Sequence, residues 1–231
     1  MVKKLVLFDI DGTMISSGSG ARRSLKKAMM KNTGISVKPT YDNTAGRTDR
    51  WIVRNFLQEA GKDNEYIENK IDDIFRDYIA VMKEEYNKDD DAVIFEGVRE
   101  LLSALHNMNN TVYLGLLTGN IEEGARIKLS PFDVNKYFPF GAYGDDVFYR
   151  NELPAIADKK AKELYGIDFK GKDIVIIGDT EFDVECGKLY NTKTIAVVRR
   201  PEKEEEVKKS NPDYFCTGFQ DIETIIKEIL S

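Results

Sequence analysis

Four short runs of apolar, largely branched residues, at 5–8, 112–117, 174–177 and 194–198, each stop abruptly at a polar residue or a Gly-Asp or Thr-Gly turn. A strand covered on both faces reads as a continuous apolar run of this kind, bounded by turn residues. Two weaker strand candidates lie at 138–143 and 214–216. Between the runs the spacing changes to that of helices: Val98, Leu101, Leu102 and Leu105 recur on one face, as do Ile156, Ala157, Ala161 and Leu164. Ile222, Ile225, Ile226 and Ile229 form a further stripe near the C-terminal end. Strands alternating with helices predict an α/β protein with a Rossmann-like, mostly parallel sheet and helices on both sides.

The stretch from 16 to 91 breaks the alternation. It shows no strand pattern but helical segments at 21–31, 50–60 and 64–86, the longest carrying a stripe of Ile71, Ile74, Phe75, Tyr78, Ile79 and Met82. So long a run between the first two strands exceeds an ordinary connection and predicts an inserted helical cap domain. The expected division is residues 1–15 plus 92–231 for the α/β core and 16–91 for the cap, with the acidic stretch at 88–91 as the return hinge.

Overall length and charge narrow the function. The 231 residues suffice for one sizeable core carrying a smaller insert. A formal net charge of −6 argues against a nucleic-acid partner, which needs a basic face. Cys186 and Cys216 have no metal-ligand spacing and are expected to be reduced thiols. The first apolar run is broken by Asp9 and Asp11, too soon for a signal-peptide core or a membrane span. A cytoplasmic protein without a membrane partner is expected.

Three strand ends carry chemistry. Phe8-Asp9-Ile10-Asp11-Gly12-Thr13 follows the first run, and ligands of open α/β sheets bind beyond the carboxyl ends of the strands. In extended chain residues two apart point the same way, so Asp9 and Asp11 can face one pocket. Clustered carboxylates repel unless a cation or shared proton offsets them, and a hard cation with oxygen ligands such as Mg2+ fits. Gly178-Asp179-Thr180 with Asp183 repeats the theme after the third run. Thr118-Gly119-Asn120, after the second, offers a hydroxyl and backbone N–H groups suited to phosphate oxygens. Glu181 reads as a first-turn residue facing solvent.

Together, in this order, the three strand ends resemble the haloacid dehalogenase superfamily, and within it the phosphoglycolate phosphatase-like hydrolases. Asp9-x-Asp11-Gly12-Thr13 matches the first motif, Thr118 the second, and Gly178-Asp179-Thr180 with Asp183 the acidic fourth. Ser17-Gly18-Ser19-Gly20-Ala21-Arg22, Gly46-Arg47-Thr48-Asp49, Gly124-Ala125-Arg126-Ile127-Lys128-Leu129 and Arg150-Asn151-Glu152-Leu153-Pro154 also look familiar, so the likeness covers nearly the whole chain. It implies phosphoryl transfer from a small phosphorylated metabolite to Asp9 and then to water. Asp11 would act as acid and base, and Mg2+ would be held by Asp9, the backbone carbonyl of Asp11, Asp179 and Asp183. Thr118, Gly119 and Asn120 would bind phosphate.

The third motif departs from the family, which places a lysine there. Arg150 appears at the aligned position, with Lys128 and Lys160 as rivals; an arginine brings the charge with a different geometry. In the cap, Arg47 and Asp49 are the candidates for facing the substrate, with Arg22 behind them. Trp51 reads as a core anchor, and His106 and the charge run at 203–209 as solvated. Two rival readings keep the fold: a sugar-phosphate mutase of the β-phosphoglucomutase type, and a non-catalytic binding module.

Overall fold

The computed structural model describes residues 3–86, 88 and 91–231. The chain opens with β1 (Lys4–Phe8) and a short β2 (Ile15–Ser16). Helices α1 (Gly20–Thr33), α2 (Tyr41–Thr44), α3 (Asp49–Glu59) and α4 (Asn64–Glu85) follow. Then come β3 (Val93–Ile94), α5 (Val98–Asn107), β4 (Val112–Leu117), α6 (Glu122–Leu129) and β5 (Gly141–Ala142). The remainder is α7 (Leu153–Tyr165), β6 (Ile174–Gly178), α8 (Glu181–Leu189), β7 (Lys193–Val197), α9 (Glu204–Lys209), β8 (Tyr214–Cys216) and α10 (Ile222–Leu230).

Among the described residues six strands form one parallel sheet in the order β5-β4-β1-β6-β7-β8. β1 is therefore central, with Phe8 opposite Leu116 of β4 on one side and Ile177 of β6 on the other. Side chains of a strand alternate between faces, and the core divides accordingly. Val6 and Phe8 pack with Leu101, Leu105, Ile225 and Ile229 of α5 and α10, while Leu5 and Leu7 pack with Leu153, Ala157 and Ala161 of α7. Every residue of β1 is buried, which is why its sequence shows no polar alternation.

Between β2 and β3, α1, α3 and α4 match the predicted segments to within a few residues, while the four-residue α2 has no counterpart among them. Thr48 caps α3 by accepting from the Trp51 N–H at 3.1 Å, and Asp63 caps α4 by accepting from Tyr66 at 2.8 Å. The stripe on α4 is buried except for Phe75, which is half-buried, and α4 lies along α1, where Lys31 and Asp77 form an ion pair at 2.8 Å. Part of the expected hinge at 88–91 lies outside the described residues.

Two elements differ from expectation. The strand read at 138–143 is only Gly141–Ala142: the Asn135–Tyr137 turn precedes it, and beyond Ala142 the next donor toward β4, the Gly144 N–H, bonds the Asn120 carbonyl at 2.8 Å, past the end of β4. The sequence shows no strand pattern at 15–16 or 93–94, the two ends of the helical segment, yet Ile15–Ser16 pairs antiparallel with Val93–Ile94. A two-residue strand has too few positions to show a period. The charge run at 203–209, read as solvated, contains the helix Glu204–Lys209, with only Val207 buried. Among the described residues no helix is long and apolar enough to cross a membrane.

Candidate active site

The order β4-β1-β6 brings the three chemical strand ends side by side. Asp9 continues β1, its N–H bonded to the Ile177 carbonyl at 2.9 Å, so it stands level with Gly178 and Leu117 and beside Asp179 and Thr118. Asp9, Asp179 and Asp183 are buried, and one carboxylate oxygen of each lies within 4.8 Å of the others. The Arg150 guanidinium enters the same cluster, 3.0 Å from Asp9 and in a short contact with Asp183. The other Asp183 oxygen accepts from the Thr180 N–H at 3.0 Å and its hydroxyl at 2.6 Å, a capping box that starts α8.

Burial dominates the electrostatics. It pushes the Asp9 carboxyl up to about 7, with Arg150 opposing and Asp183 and Asp11 adding to the rise. Asp179 is raised well above its ordinary value by burial, then by Asp9 and Asp183. Burial would lower Arg150, but the carboxylates of Asp183 and Asp9 more than offset it. One guanidinium among three buried carboxylates leaves an excess of negative charge that the low-dielectric surroundings penalise, and a divalent cation taking oxygen ligands would offset it. Gly12, at φ +83°, leaves room for it: a Cβ there would lie 2.0 Å from the Asp179 Oδ2. The residues present fit a metal.

Asp11 is set apart. Its side chain is not in the close carboxylate group; Oδ2 accepts from Lys128 at 2.7 Å and from Asn120 at 2.8 Å. Asn120 also donates to the Thr118 hydroxyl at 2.8 Å. Thr118 is fully buried, its N–H bonded to the Ala142 carbonyl. Gly119 turns beneath the helical segment, where a Cβ would meet the Arg47 carbonyl oxygen at 2.0 Å. Of the three basic candidates, Arg150 reaches Asp9 and Lys128 reaches Asp11. Lys160 reaches neither: it binds the Gly141 carbonyl and Asp146, tying down the loop after β5.

A cavity of about 250 Å³ lies over these residues, lined from the core by Asp9, Asp11 and Thr118 and from the helical segment by Tyr41, Arg47 and Asp49. The Arg47 guanidinium packs between the rings of Trp51 at 4.5 Å and Phe182 at 4.0 Å. The Asp49 carboxylate accepts from the Ile121 N–H at 2.9 Å, while its own N–H donates to the Gly119 carbonyl at 2.7 Å. It therefore fastens α3 to the entrance of α6. Arg22 also lines the cavity and donates to the Gly18 carbonyl. Glu181 and Trp51 are half-buried, and exposed His106 stacks edge-on against Tyr137, away from the cavity. Both cysteines are free, and burial pushes Cys186 up to about 12.

Two residues escaped the sequence reading. Arg199, just past β7, donates to the carbonyls of Gly12 at 3.0 Å and Thr13 at 2.8 Å and covers the Phe95 ring. The strand-end position was a signal that could have flagged it. Tyr41 lines the cavity under the Arg200 guanidinium, 3.9 Å from its ring; nothing local in the sequence points to that pair.

The family model for haloacid dehalogenase-like hydrolases matches residues 6–197. A pyrophosphatase PpaX from Oceanobacillus iheyensis is 24% identical over 226 residues, covering 96% of each chain. A phosphoglycolate phosphatase from Aquifex aeolicus is 24% identical over 193 residues, covering 83% of each. The crystal structure of CbbY from Rhodobacter sphaeroides, in complex with phosphate, superimposes with a TM-score of 0.70 at 16% identity over 96% of each chain, which shows a shared fold. The chain belongs to the haloacid dehalogenase-like hydrolases and is an enzyme.

Proposed function

We propose that this hydrolase is a Mg2+-dependent phosphatase that cleaves a small organic phosphate monoester through a phosphorylated Asp9. One observation carries the reading: Asp9, Asp179, Asp183 and Arg150, distant in sequence, converge in a buried cluster below a cavity of about 250 Å³. A carboxylate oxygen of Asp9 attacks phosphorus, and the bond to the leaving oxygen breaks as that oxygen takes a proton from Asp11. Water then attacks the phosphorylated Asp9 and gives its proton to Asp11, releasing inorganic phosphate and restoring both carboxyl groups.

Thr118 and the N–H groups of Gly119 and Asn120 serve the phosphoryl oxygens as donors. Arg150 holds Asp9 in place and offsets part of its charge. Asp9, Asp179, Asp183 and the Asp11 carbonyl would hold Mg2+, which supplies positive charge to phosphoryl oxygens during transfer. The segment at 16–91 acts as a cap, docked through Asp49 on Ile121 and closing the cavity against bulk water. Arg47 and Asp49 line the side where the leaving group sits. The reading includes a cytoplasmic location and a phosphorylated metabolite as the partner.

The test is Asp9→Asn assayed with p-nitrophenyl phosphate, with circular dichroism as the check on folding. Turnover is expected to fall by at least roughly a thousandfold while the spectrum is unchanged. A folded variant that keeps wild-type activity removes Asp9 as the nucleophile.

A further inference from the structure

Lys128 stands out as a charge the proposed chemistry does not use. It lies on the last turn of α6, and its side chain is only 8% exposed. Burying an ammonium costs several kcal/mol unless it is paired and hydrogen-bonded, so its partners account for its presence. Two are at hand: Asp11 Oδ2 at 2.7 Å and Asn120 Oδ1 at 2.6 Å. Asn120 closes the figure by donating from Nδ2 to the same Asp11 oxygen at 2.8 Å and to Thr118 Oγ1 at 2.8 Å. Asp11, Asn120 and Lys128 thus form a ring of hydrogen bonds in which each member touches the other two.

That ring fixes a side chain with little else to hold it. The Asp11 side chain is 38% exposed and lines the cavity, whereas Asp9, Asp179 and Asp183 are locked by burial. A carboxylate that must meet a leaving oxygen loses much of its effect when it samples several rotamers, because transfer depends on placement within a fraction of an ångström. Both contacts fall on Oδ2, so the second oxygen is not committed to either partner. Lys128 also differs in kind from Arg150, which engages Asp9 and Asp183 and belongs to the nucleophile side of the site.

We infer that Lys128 is a positioning residue for the proton-transferring Asp11, holding its carboxylate toward the leaving group through the ring shared with Asn120. The inference rests on the assignment of Asp11 as acid and base made above. Lys128 gives up no proton and forms no bond to phosphorus; it acts through Asp11.

Aryl phosphates of graded leaving-group basicity separate this role from a structural one. A p-nitrophenolate departs without a proton, while phenolate and p-methoxyphenolate need one increasingly. The expected result for Lys128→Met is a kcat/KM that falls only a few-fold with p-nitrophenyl phosphate but roughly 10- to 100-fold with phenyl phosphate, part of the 10²–10⁴ that a placed general acid contributes. The dependence on leaving group should steepen toward that of Asp11→Asn, and Lys128→Arg should restore most of it. Lys128→Gln, which keeps a polar head, serves if Lys128→Met does not fold, with the thermal midpoint as the check. An equal loss across the series, or a rise in KM alone, overturns the positioning role. If Asp11→Asn itself shows no steepening, the assignment of Asp11 falls and the role of Lys128 falls with it; steepening in Asp11→Asn but not in the folded Lys128 variants refutes the inference alone.

Discussion

Replacing Asp49 with Asn should stabilise the protein, by an amount that depends on pH in a defined way. Burial pushes the Asp49 carboxyl from its ordinary 3.8 up to about 6, against the pull of Lys128 and the Ile121 N–H, with Asp11 and Asp145 adding to the rise. At about 1.4 kcal/mol for each tenfold step in proton affinity, that gap corresponds to about 3 kcal/mol. Asp49 keeps some solvent exposure, so screening reduces the figure to about 1–2 kcal/mol. The sign follows from linkage: between the unfolded value and about 6 the unfolded chain releases this proton first, so rising pH favours unfolding. Below the unfolded value both states keep the proton and the penalty vanishes; above about 6 both have lost it and the penalty is constant. An Asn amide carries no charge yet retains an oxygen to accept from Ile121. Urea or thermal unfolding of both proteins between pH 4 and 8 should show the variant's advantage growing up to about pH 6 and then levelling off. At neutral pH it amounts to about 2–8 °C in Tm for a chain of this size. A variant less stable than wild type at pH 7, or a difference that does not change with pH, refutes the electrostatic account of this residue.

Three further outcomes test the site. Gly12→Ala should lower kcat/KM roughly a hundredfold, because its Cβ would fall 2.0 Å from Asp179 Oδ2 at a φ of +83° and displace that carboxylate; near-wild-type kinetics would show that the contact yields without consequence. Arg150→Met should cost about 3–5 kcal/mol in urea unfolding, since Asp9 and Asp183 remain buried without their cation, with Arg150→Lys intermediate; a loss under 1 kcal/mol, by the same order-of-magnitude scale, would mean the carboxylates simply take up protons. Chelation should stop turnover, and Mg2+ at about a hundred times its Kd should stabilise the wild type by about 2.7 kcal/mol but not Asp179→Asn. Full activity in excess chelator, or equal stabilisation of both proteins, counts against the metal site.

Much of the fold and site was legible because the information is local. A strand buried on both faces must be apolar throughout, so β1, β4, β6 and β7 were visible as runs, and the helices as stripes at their own spacing. The residues just past those runs were visible as chemistry: Asp9 and Asp11, Thr118, and Asp179 with Asp183. Where the local signal is thin, the reading failed. β2 and β3 have two residues each, and β5 ends early because the Gly144 N–H bonds the Asn120 carbonyl beyond the end of β4.

The sequence alone determined which strand ends carry acids and hydroxyls, since residue type and run length are properties of the chain. Only the tertiary structure decided that β4 and β6 flank β1, that Arg150 meets Asp9 while Lys128 meets Asp11, and that Asp49 fastens a helix. The reason is physical: strand order and the aim of a long side chain depend on how separate helices pack against the sheet. That packing is a sum of contacts between residues far apart in the chain, which no local pattern encodes.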